Sequence, residues 1–255
     1  MTLSTTAPIL RLRGIEMAFG GVIALRGVDL DVTQGERLGI LGPNGAGKTT
    51  LFNVIAGDFA PSAGTVTIGD QDVSTAPARI RPSLGVARTY QKTRLFPGLT
   101  VADNLFVAIV GKHGGHLRPY GRKADSEFRE RAARAAAAVW LNDKLAVAVA
   151  DLSHGEQRQL EVGMALSTDP SLLMLDEPAS GLSRGERERL VDLLNSFDEK
   201  VTLILIEHDM AVALNVAERL VVMADGVVVA EGTPDDIRAN QLVHDIYLGR
   251  AGSHA

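Results

Sequence analysis

Four short runs in this sequence hold residue types suited to gripping a phosphate and attacking it with water. The first is Gly42-Pro43-Asn44-Gly45-Ala46-Gly47-Lys48-Thr49, followed by Thr50. Glycines at this spacing let successive backbone N–H groups turn inward around phosphate oxygens, where a Cβ would collide. Lys48 adds a full positive charge for β- and γ-phosphates, and the Thr49 hydroxyl is sized to ligate Mg2+. The second run is Asp176-Glu177-Pro178, directly after the apolar Leu172–Leu175. A strand ending there sets both acids at the carboxyl edge of a sheet, where open α/β folds bind ligands. Asp176 suits a magnesium ion held through water. Glu177 suits orienting or deprotonating the attacking water.

The third run is Glu207-His208-Asp209, after Val201–Ile206. A neutral His208 imidazole at a sheet edge can donate to a γ-phosphate. An isolated histidine there reads first as a locally bonded strand end, and only its convergence with the other two runs turns the reading toward chemistry. The fourth run is Leu152–Gln157, in which Ser153 and Glu156 form a capping box at a helix start. That helix end and the Ser153 hydroxyl suit an anion, but the residues alone leave open whose phosphate it is.

The elements that must carry these runs follow from the pattern around them. Ile9–Phe19 and Val22–Val32 alternate about Gly20-Gly21, which predicts a hairpin-like pair. Glu36–Leu41 is a short strand feeding the glycine loop, Lys48–Ala56 a helix ended by Gly57, and Thr65–Ile68 a further strand. From about Leu99 to Ala150 the pattern turns helical, interrupted by a loop-like Gly111–Gly121. Leu172–Leu175 and Val201–Ile206 read as buried strands. Ser183 with Glu186 starts a helix, Asp225-Gly226 turns a hairpin between Leu220–Met223 and Val227–Ala230, and Thr233-Pro234 with Asp236 opens another helix. Strands alternating with helices imply a mostly parallel sheet covered by helices. The termini, Met1–Pro8 and Gly249–Ala255, are expected to be ragged.

Composition limits the partners. With 26 Lys and Arg against 31 Asp and Glu, the net charge is −5, which disfavours a nucleic-acid binder. No cysteine is present, so neither disulfides nor thiolate metal sites arise. The polar start does not resemble a secretory signal, and no apolar run reaches the roughly 18 residues a membrane helix needs.

The glycine loop, Leu152–Gln157, Asp176-Glu177 and His208 together resemble ABC ATPases in order and spacing, from about Ile9 to Tyr247. The resemblance implies an α/β fold: a P-loop NTPase core with a mixed sheet, an N-terminal antiparallel β-subdomain and an inserted α-helical subdomain. Residues 1–255 would be one domain, with 9–90 and 165–250 as the core and about 91–164 as the helical insert. ATP and Mg2+ are the implied ligands, and hydrolysis to ADP and phosphate the implied reaction. It implies a head-to-tail dimer in which Ser153, His154, Gly155 and Glu156 of one copy close over ATP held by Gly42–Thr50 of the other. Phe19 resembles the aromatic that stacks on adenine. Gln91, in Arg88-Thr89-Tyr90-Gln91, resembles the glutamine that reaches magnesium, beside Thr49 and Asp176, and senses a membrane subunit. Lys48, Gln91, Glu177 and His208 would form the catalytic set. Two positions depart from the pattern: His154 stands where many relatives carry Gly, and Ser183 where many carry an Asp that speaks across the dimer.

Arg88–Pro97, Ser153-His154-Gly155, Glu207–Met210 and Ile246–Gly249 are similar to importer ATPases of the branched-chain amino-acid and urea type. That similarity implies transmembrane permease subunits, a homodimer or a heterodimer with a second ABC ATPase, and indirectly a solute-binding protein. The chain would be peripheral, on the cytoplasmic face of the inner membrane. An exporter ATPase of the lipid or lipopolysaccharide type is the alternative, with the same fold and chemistry. A soluble, non-transport ABC ATPase fits less well, because each motif occurs once and no heptad insert is present.

Overall fold

The computed structural model describes residues 7–89, 95–114 and 122–248. The chain forms two compact units, one from Met1–Leu84 with Asp198–Ala255 and one from Gly85–Phe197.

In the first unit, β1 (Pro8–Phe19) and β2 (Val22–Thr33) form the expected hairpin, with Phe19 opposite Val22. The strand takes in Pro8, which the sequence placed in the ragged start; its partner is Thr33. Alternation along these strands changes parity once. Leu10 and Leu12 are buried, then Ile15 and Met17; on the partner strand Leu25 is buried, then Val28, Leu30 and Val32. Irregularities in the pairing between Leu12 and Ile15 and between Ile15 and Glu16 absorb the extra residue of each strand, and Gly14 and Gly27, both at positive φ, sit in the first and the second respectively. A bulge of this kind keeps one face apolar along two long, twisted strands.

The strand β3 (Arg37–Leu41) leads to α1 (Lys48–Ala56), and β4 (Ala63–Ile68) with β5 (Gln71–Asp72) completes an antiparallel sheet in the order β2-β1-β4-β5. After the second unit the chain returns with β8 (Thr202–Ile206), α6 (Met210–Val216), β9 (Arg219–Ala224), β10 (Val227–Gly232), α7 (Pro234–Ala239) and α8 (Gln241–Leu248). Here β3 pairs in parallel with both β8 and β9, and β9 pairs antiparallel with β10. Every residue of β8 is buried, as is all of β3 except Arg37, which explains their unbroken apolar runs. The turn between β9 and β10 uses Asp225 at φ 49° and Gly226 at φ 82°, the two positive values a type I′ hairpin requires.

In the second unit, β6 (Val86–Arg88) pairs in parallel with β7 (Leu172–Asp176). Four helices accompany them: α2 (Val101–Gly114), α3 (Arg122–Ala138), α4 (His154–Leu166) and α5 (Arg184–Asn195). Leu105, Ile109, Ala132, Ala136, Val139 and Leu160 are fully or almost fully buried among them. The helix α2 continues through Gly111 to Gly114, so the loop expected from Gly111 starts later than the glycines suggested. Lys112 secures that last turn by donating to the Thr168 carbonyl. The rest of the expected loop, 115–121, lies outside the described residues.

Candidate nucleotide site

The first unit carries the glycine loop. It leaves the carboxyl end of β3 and enters α1, whose N-cap is Gly47 at φ 99°. Glycine has no side chain to cap the first turn, whereas Ser153, Ser183 and Thr233 form capping boxes at α4, α5 and α7. The first N–H groups of α1 therefore have no side-chain cap, the arrangement that suits an anion at a helix start. Backbone contacts tie the loop to the hairpin turn beside it. Ala46 donates to the Pro43 carbonyl at 3.2 Å, the Ala46 carbonyl accepts from Gly226 at 3.1 Å, and the Gly226 carbonyl accepts from Arg26 at 2.9 Å. Lys48 is only 4% exposed, and its Nζ donates to the carbonyls of Gly42 (2.6 Å) and Pro43 (3.0 Å). The ammonium thus lies folded back along the loop it would serve. Thr49 and Thr50 occupy the following positions of the same first turn.

Also in this unit, β8 runs parallel to β3, with Ile206 opposite Ile40, and the Glu207 N–H donates to the Ile40 carbonyl at 3.3 Å. The glycine loop and Glu207-His208 therefore leave the same edge of one parallel pair, as the apolar run Val201–Ile206 suggested. The His208 side chain is 51% exposed, with Nδ1 4.0 Å from the fully buried carboxylate of Glu207. Phe19, at the end of β1, is 44% exposed and meets Phe59 edge-on at 5.3 Å between centroids. The residue thus stands partly exposed at the hairpin tip.

The second unit carries the acids and the fourth run. Asp176 ends β7 and is 2% exposed, and its N–H donates to the Thr89 hydroxyl at 3.3 Å. Thr89 follows β6 and lies at the same strand ends as Asp176; Gln91 lies outside the described residues. Glu177 adopts φ 47°, a left-handed conformation that costs a residue with a Cβ about 1–2 kcal/mol. Strain of this sort gathers at functional positions, and here the Ser180 N–H stabilises the turn by donating to the Glu177 carbonyl at 3.0 Å.

Ser153 begins α4. Its Oγ accepts from Glu156 N–H at 3.2 Å and its own N–H donates to Glu156 Oε2 at 2.9 Å. The Ser153 hydroxyl also bears on the Glu156 carboxylate, which closes the box from both sides. Burial would raise the Glu156 carboxyl, but the ammonium of Lys144 and the Ser153 N–H outweigh it and hold the group below its ordinary value. The next amide, Gly155 N–H, donates to Glu186 Oε1 at 3.0 Å. The other oxygen of Glu186 accepts from the Ser183 N–H (2.9 Å) and hydroxyl (2.7 Å) at the start of α5. The two departures from the family pattern are thus neighbours: the His154 ring lies beside Gly181, and the Gly155 amide next to it shares Glu186 with Ser183. Ser183 and Glu186 were legible as a capping box, but the second duty of Glu186 was not. Glu207 also escaped notice as a functional candidate. A buried carboxylate that continues an all-apolar strand is the signal that marks it.

A family model described as "ABC transporter" matches residues 25–180, more than half of the chain. The chain belongs to the ABC transporter ATP-binding family. It is accordingly an ATP-binding, ATP-hydrolysing cassette. A second family model, "Branched-chain amino acid ATP-binding cassette transporter", matches residues 227–253. The cassette is 38% identical over 252 residues to the high-affinity branched-chain amino acid transport ATP-binding protein LivG of Escherichia coli K12, covering 96% of this chain and 99% of LivG. It is 37% identical over 253 residues to BraF of Pseudomonas aeruginosa, described in the same words, at 96% and 99% coverage. Among solved structures, the ADP conformation of MJ1267, an ATP-binding cassette of an ABC transporter, matches with a TM-score of 0.85 at 28% identity, covering 96% of this chain and 100% of that one. The dimeric structure of MJ0796, a bacterial ABC transporter cassette, matches with a TM-score of 0.76 at 26% identity, covering 88% and 98%.

Magnesium is the metal that the fold family implies. The donors on this chain fit it chemically: a Thr49 hydroxyl and an Asp176 carboxylate are the hard oxygens this ion prefers. Among the described residues, no helix is long and apolar enough to cross a membrane.

Proposed function

We propose that this cassette is the ATPase subunit of an importer of branched-chain amino acids. The full-length similarity to LivG and BraF, reinforced by the C-terminal family match, carries the reading and favours import over export. The cassette would sit at the cytoplasmic face of the membrane through permease partners. It would work as a dimer, as the dimeric relative suggests. Import sets the direction of work: ATP closes the dimer, closure moves the permeases, and hydrolysis resets them.

The residue roles follow from the chemistry each offers. Phe19 stacks on adenine. The backbone amides from Asn44 to Thr50 and the Lys48 ammonium hold the phosphates, with Lys48 exchanging its loop carbonyls for phosphate oxygens. Thr49, Asp176 and Gln91 would hold magnesium, which would supply charge neutralisation for the triphosphate. Ser153–Glu156 of the facing copy close over the γ-phosphate. Glu177 accepts a proton from water as its oxygen bonds to the γ-phosphorus. The bond from that phosphorus to the β–γ bridging oxygen breaks, leaving ADP and phosphate, while His208 donates to the γ-phosphate oxygens.

Replacing Glu177 tests the reading directly. Glu177→Gln keeps ATP binding and loses about 10²–10⁴-fold in turnover, so size-exclusion chromatography with ATP should show a persistent dimer. Rapid turnover by this variant contradicts the assignment of the base. Leucine uptake by cells with and without the gene tests the cargo, and unchanged uptake of leucine, isoleucine and valine overturns it.

A further inference from the structure

We infer that Tyr247, in the last turn of α8, is a positioning residue for the phosphate loop: its hydroxyl fixes Gly42 and, through Gly42, the resting place of Lys48. The inference rests on reading Gly42–Thr50 as the nucleotide cradle, but the roles above do not include the C-terminal helix.

Gly42 is the first residue beyond the β3 ladder, in which Leu41 lies opposite Val222. Its N–H donates to the Tyr247 hydroxyl oxygen at 2.9 Å, and its carbonyl accepts from Lys48 Nζ at 2.6 Å. One residue thus connects a C-terminal phenol to the loop lysine. Gly42 also has little room to slide. At φ 151° it approaches β9 so closely that an added Cβ would lie 2.3 Å from the Met223 carbonyl oxygen. A loop entry this confined transmits what is done to its amide.

The helix is seated for the task. Val243 and Tyr247 share a face of α8, four residues apart, and pack on a cluster that includes Leu41, Ala213, Leu220 and Ile237. Val243 is 1% exposed. Burial raises the Tyr247 phenol above its ordinary value, against a smaller opposing pull from the Gly42 N–H, so the group stays neutral at physiological pH. Phenylalanine would fill the same space but offer the Gly42 amide no acceptor. When Lys48 leaves the Gly42 carbonyl for a phosphate oxygen, the Tyr247 contact still holds the Gly42 amide. The hydroxyl touches loop backbone and not the water-activating group, so its loss is felt in nucleotide binding and not in the chemical step.

The test uses the full chain. One neutral hydrogen bond corresponds to roughly three- to tenfold in an equilibrium constant. Tyr247→Phe is therefore expected to raise KM and the equilibrium Kd for MgATP by that factor, with kcat within about twofold of wild type. The Gly42 amide, followed by hydrogen exchange, should exchange faster in the variant. Val243→Ala thins the same packing and keeps the hydroxyl. It should lower the melting temperature while leaving KM within about twofold. The proposal is overturned if Tyr247→Phe binds MgATP like wild type, if it lowers kcat at unchanged KM, or if Val243→Ala raises KM as much as the phenol substitution. Failure of the wild-type chain to bind MgATP sinks the nucleotide reading itself.

Discussion

Gly47→Ala should damage this cassette more than the torsion change alone explains. Gly47 caps α1 at φ 99°, and a Cβ there would lie 2.7 Å from the Ala24 carbonyl oxygen and 3.0 Å from a Leu25 methyl carbon. Forcing a left-handed conformation on alanine costs about 1–2 kcal/mol. Ala24 belongs to β2, which the hairpin partner β1 holds in place, so the loop must shift instead, at a further ~1–3 kcal/mol. The sum of about 2–5 kcal/mol corresponds to a fall in Tm on the order of 10 °C for a chain of this size. Gly45→Ala is the matched comparison. Its φ is 82°, but nothing lies within 4 Å of the added atom, so only the torsion cost applies and the fall should be about half as large or less. Gly185→Ala should act in the opposite direction. It lies in α5 with no positive φ and open space around its Cβ, and alanine gains up to about 1 kcal/mol in a helix. Scanning calorimetry without nucleotide and with a chelator present reads all three, because bound ligand would add stability of its own. Equal melting temperatures for Gly47→Ala and Gly45→Ala would refute the argument that close approach to β2 demands glycine at position 47.

Three further outcomes are expected. Glu186, Asp236, Asp72 and Asp31 are all held below their ordinary values, chiefly by hydrogen bonds from Ser183, Thr233, Ser74 and Arg13. Their folded pKa values lie below the unfolded ones. Their contribution is therefore complete above the ordinary carboxylate range near pH 4, and drains away as pH falls below it. Urea midpoints should hold steady from pH 7 to about 5 and drop toward pH 3, and a decline already under way between pH 7 and 6 would implicate histidines instead. Ser153→Ala removes an N-cap oxygen worth about 1 kcal/mol and a hydroxyl that the proposed function sets against the facing copy's nucleotide. ATP-dependent dimerisation, measured by light scattering, should weaken by more than the change in Tm accounts for, and a change in Tm alone leaves Ser153 as a mere cap. Arg81 is almost fully buried and donates to the carbonyls of Ile55 at 2.9 Å and Val73 at 3.0 Å. Arg81→Ala strands both acceptors, at about 2–4 kcal/mol, which equilibrium unfolding should detect, whereas a change under 0.5 kcal/mol would show that water replaces the guanidinium.

The chemistry was legible because it is local. Gly42–Thr49 needs only a strand before it and a helix after it, and both appeared where the apolar runs put them. The Asp225-Gly226 turn and the capping boxes at Ser153, Ser183 and Thr233 were readable for the same reason: each is an interaction between residues one to three positions apart. Parity along β1 and β2 was harder to read, because the slip at Gly14 and Gly27 becomes visible only once both strands are paired. The end of α2 was misjudged because Gly111 lowers helix propensity, while the anchor for that turn, Lys112 on Thr168, lies far along the sequence. The contact of Tyr247 with Gly42 spans 205 positions, and no periodicity reports a bond of that range.

Glu186 spreads its two oxygens over the beginnings of two helices, Oε2 to Ser183 and Oε1 to the Gly155 amide. It is therefore a rivet: neither α4 nor α5 can swivel at its start without dragging the other or surrendering a charge-assisted bond. The negative charge absent from position 183 is present three residues later, turned toward the chain's own Gly155. The two helix starts are accordingly tied together within the chain itself, by a strut of hydrogen bonds that needs no carboxylate at position 183.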